Sequence, residues 1–147
     1  MNTPHMTDSD MSHRQILPVH RAEDLSGARA AVIDSVMKAG IDDDRAAKLA
    51  IAVSEIATNS LLHGDGSARV EVMTTADWFM VEVTDRGPGF AADREVRLPD
   101  SGEDRGRGLW IAKQLCDRVA IDSGASGTCI ALSMRRAPSR KDDPRGT

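Results

Sequence analysis

One helical period runs unbroken through residues 43–63. Apolar residues recur at Leu49, Ala50, Val53, Ile56, Ala57 and Leu61, the spacing of a single helix face. A face of that kind is stable only when another layer covers it. Asp42, Asp43 and Asp44 stand at the start, where a helix favours negative charge. Glu55, Asn59 and His63 follow at intervals of four and therefore stack as a polar stripe. The stripe has two readings. It is a solvated face, or it is a site: an amide oxygen can ligate a hard cation such as Mg²⁺, and a carboxylate can orient or deprotonate a nucleophile.

The rest of the chain predicts what this helix packs on. A strand is expected near residues 15–20 and a first helix over 24–39, ended by Gly40. Two strands over 68–74 and 78–84 are joined at Thr75, Ala76 and Asp77 as a hairpin. A third helix follows over 108–116. Two last strands near 118–122 and 128–134 turn through residues 123–127. Helices set against an antiparallel-rich sheet make an α+β two-layer sandwich. Aromatic residues are only two Trp and two Phe, so the core must come from Ala, Val, Ile, Leu and Met. Residues 1–13 and 136–147 are polar and without period. They read as disordered arms around one domain over 14–135.

Alternation locates further polar groups. Phe79, Val81 and Val83 share one strand phase, and Asp85 falls on it. A carboxylate at the end of an apolar face is costly unless hydrogen-bonded. Thr128 shares a phase with Ile130, Leu132 and Met134. Both polar groups should therefore sit at the rim of the helix-covered face. Donors and acceptors beside apolar surface suit a ligand such as adenine. Glycine turns flank these positions: Gly87 and Gly89 around Pro88, Gly106 and Gly108 at a helix start, and Gly127 before the last strand. Backbone N–H groups at a helix start favour phosphate. Arg105 and Arg107 flank that turn, either to neutralise phosphate or as solvated lid arginines. Residues 86–105 read as a mobile lid.

Four segments in this order carry a resemblance: Glu55-Ile-Ala-Thr-Asn59-Ser-Leu-Leu-His63-Gly64, Asp85-Arg-Gly87-Pro-Gly89, Gly106-Arg-Gly108-Leu109 and Gly127-Thr128. They resemble the N, G1, G2 and G3 boxes of the GHKL superfamily of ATPases and kinases. Within it, the chain looks most like the bacterial anti-sigma-factor serine kinases. The short stretch between the second and third boxes fits that group, and a histidine kinase would need a phospho-accepting helical hairpin ahead of residue 24. The resemblance implies a Bergerat-type ATP-binding fold, with a mixed, mostly antiparallel sheet and helices on one face. It implies an ATP-dependent protein-serine kinase acting on a STAS-domain anti-sigma antagonist, and possible holding of a sigma factor. The alternative is a nucleotide-binding module that sequesters such partners without transfer.

The same resemblance assigns roles. Glu55 would be the catalytic base and Asn59 the Mg²⁺ ligand. Asp85 would accept from the adenine amino group, assisted by Thr128. Gly87, Gly89, Arg105, Gly106, Arg107, Gly108 and Leu109 would line the ATP or ADP, although Leu109 also has core spacing with Ala112 and Cys116. His63 would touch phosphate or cap its helix. A homodimer formed through the sheets is implied as well, with the first strand at an edge and Pro18 blunting it.

Charge and cysteine usage narrow the partners. Net charge is −4 and no dense basic cluster appears in the folded part, which argues against nucleic acid. No apolar run is long enough for a membrane span and no signal-peptide pattern is seen, so a cytoplasmic protein is expected. Cys116 and Cys129 read as free buried thiols.

Overall fold

The computed structural model describes residues 11–63, 65–87 and 106–136. The order of elements is β1 (Met11–Val19), α1 (Asp24–Lys38), α2 (Asp43–His63), β2 (Ala68–Thr75), β3 (Trp78–Asp85), α3 (Arg107–Leu115), β4 (Arg118–Gly124) and β5 (Gly127–Arg135). The strands form one sheet in the order β1-β2-β3-β5-β4. Each of the four pairings is antiparallel. The fold is an α+β two-layer sandwich with an open sheet.

Burial follows the predicted periods. On α2, Leu49, Ala50, Val53, Ile56 and Ala57 are all buried. They meet Val70 and Val72 of β2, Phe79, Val81 and Val83 of β3, and Ile130, Leu132 and Met134 of β5. α1 adds Ala28, Val32 and Val36 to the same core, and α3 adds Leu109 and Ala112. The helix start is capped as its acidic run suggests: the Asp42 Oδ1 accepts the Arg45 N–H at 2.8 Å. Asp24 accepts the N–H groups of His20 and Arg21, and the first of these bonds leads in holding its carboxyl below the usual value. Among the described residues, no helix is long and apolar enough to cross a membrane.

The sheet's other face carries a second, small apolar cluster of Met73, Met80 and Ala131, flanked by Ala120. Arg14 pairs with Glu71 there, and Arg69 stands 3.4 Å from the same carboxylate. Two guanidinium groups stand over the Trp78 ring, with Arg118 4.7 Å and Arg135 5.1 Å from its centroid.

Four expectations need correction. β1 begins at Met11, inside the stretch read as an arm, because its backbone pairs with Thr74 and Thr75 of β2 where its side chains show no period. The last hairpin is tighter than expected: Gly124 pairs with Gly127, leaving Ala125 and Ser126 as the turn. α3 stops at Leu115, since the Asp117 N–H already donates to the Ser133 carbonyl at 2.9 Å and Cys116 must be extended. Arg136 belongs to the domain. Its Nε donates to the Ala39 carbonyl at 2.9 Å, its Nη1 to the Thr75 carbonyl, and its N–H to the Asp77 carbonyl at 2.9 Å. Both cysteines are free and half-buried, and burial pushes the Cys116 thiol up to about 12.

Candidate functional site

Asp85 and Thr128 are register partners at the end of the β3–β5 ladder. Asp85 is half-buried and its carboxylate is held from two sides. The Ser60 hydroxyl of α2 donates to Oδ2 at 2.9 Å, and the Gly87 N–H donates to Oδ1 at 2.9 Å. Thr128 is buried, and its hydroxyl oxygen lies 2.8 Å from that of Ser123, its partner on β4. The close approach depends on Gly127. A Cβ there would lie 2.1 Å from the Asp85 carbonyl oxygen, and φ is +137°, where side chains are strained.

Glu55 and Asn59 occupy one side of α2, both half-buried. α3 starts just after Gly106, its N-cap, whose carbonyl accepts the Trp110 N–H at 2.8 Å. α3 crosses α2 at Gly108. A Cβ at that position would stand 2.8 Å from the Glu55 Cβ and 2.9 Å from the Ala52 carbonyl oxygen. Only hydrogen fits, and this crossing brings the start of α3 beside the Glu55 carboxylate. Arg107, half-exposed, points its Nη1 to Glu55 Oε1 at 3.6 Å.

The fold thus gathers Glu55, Asn59, Gly106, Arg107 and Gly108 at α2 and the start of α3, and Asp85, Gly87 and Thr128 at the strand ends. Ser60, the neighbour of Asn59 on α2, touches Asp85 and joins the two groups. Leu109 sits with the core. His63 closes α2, and its side chain, Gly89, Arg105 and most of the expected lid lie outside the described residues. Ser60 and Ser123 are site residues that motif reading missed. No pattern marks either one, since each is visible only through a partner on another element.

The donor set fits Mg²⁺ in a restricted way. Among the described residues, no group of three His, Cys, Asp or Glu side chains could hold a metal. The amide of Asn59 offers one hard oxygen, which suits an ion that keeps waters and takes its remaining ligands from phosphate.

Residues 19–134 match the family described as the histidine kinase-like ATPase domain. The chain belongs to that family. Its relatives include an anti-sigma F factor of Clostridium beijerinckii, 28% identical over 141 residues that span 88% of this chain and 96% of that one. A serine-protein kinase RsbW of Listeria monocytogenes is 32% identical over 122 residues, 72% of this chain and 78% of the relative. The fold is shared with a solved structure of the RsbU and RsbW domains of a Mycobacterium tuberculosis protein, with a TM-score of 0.63 at 22% identity. That likeness covers 88% of this chain and 34% of the other. As an ATPase-type domain of this family, the chain is of a nucleotide-binding class, and the candidate residues lie along α2 where it meets the start of α3 and the end of β3.

Proposed function

We propose that the protein is an ATP-dependent protein-serine kinase of the anti-sigma-factor type. The observation that carries this is the meeting of two chemistries along α2. Glu55 meets the start of α3 at Gly108, and just over one turn further along α2, next to Asn59, Ser60 meets Asp85, the register partner of Thr128. The strand end suits an adenine base, because the carboxylate of Asp85 accepts and the Thr128 hydroxyl can do either. The helix start suits phosphate, because its N–H groups have no partners within the helix.

Asn59 would hold Mg²⁺, which when bound neutralises phosphate charge. Glu55 would take the proton of a partner's serine hydroxyl as that oxygen bonds to the γ-phosphorus and the bond to the bridging oxygen breaks, releasing ADP. Phosphoryl transfer is largely positioning and charge neutralisation, so a small domain suffices. The acceptor we propose, from the motif resemblance, is a STAS-domain anti-sigma antagonist, and the name of one relative, an anti-sigma F factor, supports a sigma factor as a second partner. A cytoplasmic homodimer is the form in which we propose it acts.

A second reading rests on the Arg107–Glu55 contact. If the ion pair persists with nucleotide bound, Glu55 is no base, and the protein sequesters partners without transfer. Incubation with labelled ATP, Mg²⁺ and purified STAS proteins separates the two. The kinase reading expects label on a partner serine, and Glu55→Gln lowers transfer roughly a hundredfold while nucleotide affinity is kept. Asn59→Ala loses the Mg²⁺-dependent part of the affinity. Absence of transfer to any STAS protein, with tight binding intact, favours the sequestering reading.

A further inference from the structure

Ser60 is buried and its Oγ has two acceptors in reach: Asp85 Oδ2 at 2.9 Å and the Ile56 carbonyl at 3.3 Å. A hydroxyl has one proton. The nearer acceptor is a carboxylate and takes it, since such bonds are shorter and stronger than bonds to a neutral carbonyl. A serine that merely satisfied itself inside a helix would need only the carbonyl four residues back. Ser60 instead reaches from α2 to β3. With the Gly87 N–H on Oδ1, the Asp85 carboxylate is pinned through both oxygens, and it cannot turn without breaking a bond.

We propose that Ser60 is a positioning residue that sets base selectivity at the end of β3. By holding Oδ2 it aims the remaining lone pairs of Asp85 in one direction, where they accept from an exocyclic amino group and oppose a 6-oxo group. Adenine presents the amino group at that position, and hypoxanthine presents the oxygen. The inference rests on the adenine-nucleotide reading of the site and gives a role to a residue to which the resemblance assigns none.

Calorimetric titration of the full chain with ADP and with IDP, each with Mg²⁺, tests it. The wild type should prefer ADP. Ser60→Ala should weaken ADP about tenfold, the scale of one lost hydrogen bond to a charged group, and leave IDP unchanged. In an Asp85→Asn background the same substitution should add nothing, because Ser60 acts only through that carboxylate. An unchanged ADP-to-IDP ratio in Ser60→Ala overturns the positioning role and leaves the nucleotide reading standing. So does an equal loss for both nucleotides, which marks a merely structural serine. Failure of the wild type to bind either nucleotide overturns the underlying reading itself. Should Ser60→Ala not fold, Ser60→Cys, of similar size with a weaker donor, should show a reduced preference, and a wild-type preference there overturns the proposal.

Discussion

Asp85 and Thr128 face each other across the last rung of the β3–β5 ladder, with Gly127 so close that a Cβ would sit 2.1 Å from the Asp85 carbonyl oxygen. The pairing brings two separate turn motifs together into one polar edge.

The first consequence is for base binding. Asp85→Asn replaces a group that only accepts with an amide that also donates. The amide would meet the Ser60 hydroxyl and the Gly87 N–H with one oxygen instead of two. ADP affinity should fall about tenfold or more, with the far-ultraviolet spectrum unchanged. Unaltered ADP affinity in a folded variant would remove Asp85 from the site.

Gly108 carries a second consequence, for architecture. A methyl group there would meet the Glu55 Cβ, the Ala52 carbonyl oxygen and the Ile56 side chain, all within 3.0 Å. None of the first two can swing aside. Gly108→Ala should therefore lift α3 from α2 and cost about 1–3 kcal/mol of stability, the usual scale of overpacking. Denaturant unfolding measures it. Stability equal to the wild type would show that the crossing has room to spare.

Much of this was legible in the chain. The α2 period marked both its buried face and the Glu55–Asn59 side, because a helix fixes which residues are neighbours without any tertiary knowledge. Strand alternation put Asp85 and Thr128 on the covered face for the same reason. The Ser60–Asp85 bond was not legible, since it depends on how far α2 slides along β3. The early start of β1 was hidden because an edge strand is fixed by its partner's backbone, and Met11–Val19 has no apolar alternation at its start. Arg136 looked like tail because only the folded positions of Ala39 and Thr75 give its guanidinium something to hold.

The open face of the sheet has its own pH signature. Glu82 lies opposite Glu71 in the β2–β3 register. Burial first, and the neighbouring Glu71 charge second, push its carboxyl above the ordinary 4.5. A carboxyl raised by folding favours the folded state while protonated. That contribution is full below the unfolded value near 4.5 and is lost as pH rises through the higher folded value. Glu82→Gln removes this cost, so the variant should melt higher than the wild type at pH 7. The gap should close as pH falls below about 4.5. Melting curves across pH check this, and a variant less stable at pH 7 would mean that the Glu82 carboxylate is well compensated there.

Assembly follows from the same face. Pairing register and alternation put Arg118 and Arg135 toward the Trp78 end and Glu82 and Asp122 toward the other, while Arg14 and Arg69 are both paired with Glu71. Met73, Met80 and Ala131 occupy the two middle rungs of the same face. A second copy turned about a two-fold axis through this apolar centre would set each basic end on an acidic end. The proposed homodimer is expected to use this face. β1 lies at the sheet's edge, where Pro18 lacks an N–H to offer. Light scattering over a dilution series should give twice the monomer mass at micromolar concentration. Arg118→Glu should shift the protein toward monomer, most strongly at low salt, where charge pairing is least screened. A mass of 15.8 kDa throughout would rule out the dimer. A dimer indifferent to Arg118→Glu at every ionic strength would place its interface elsewhere.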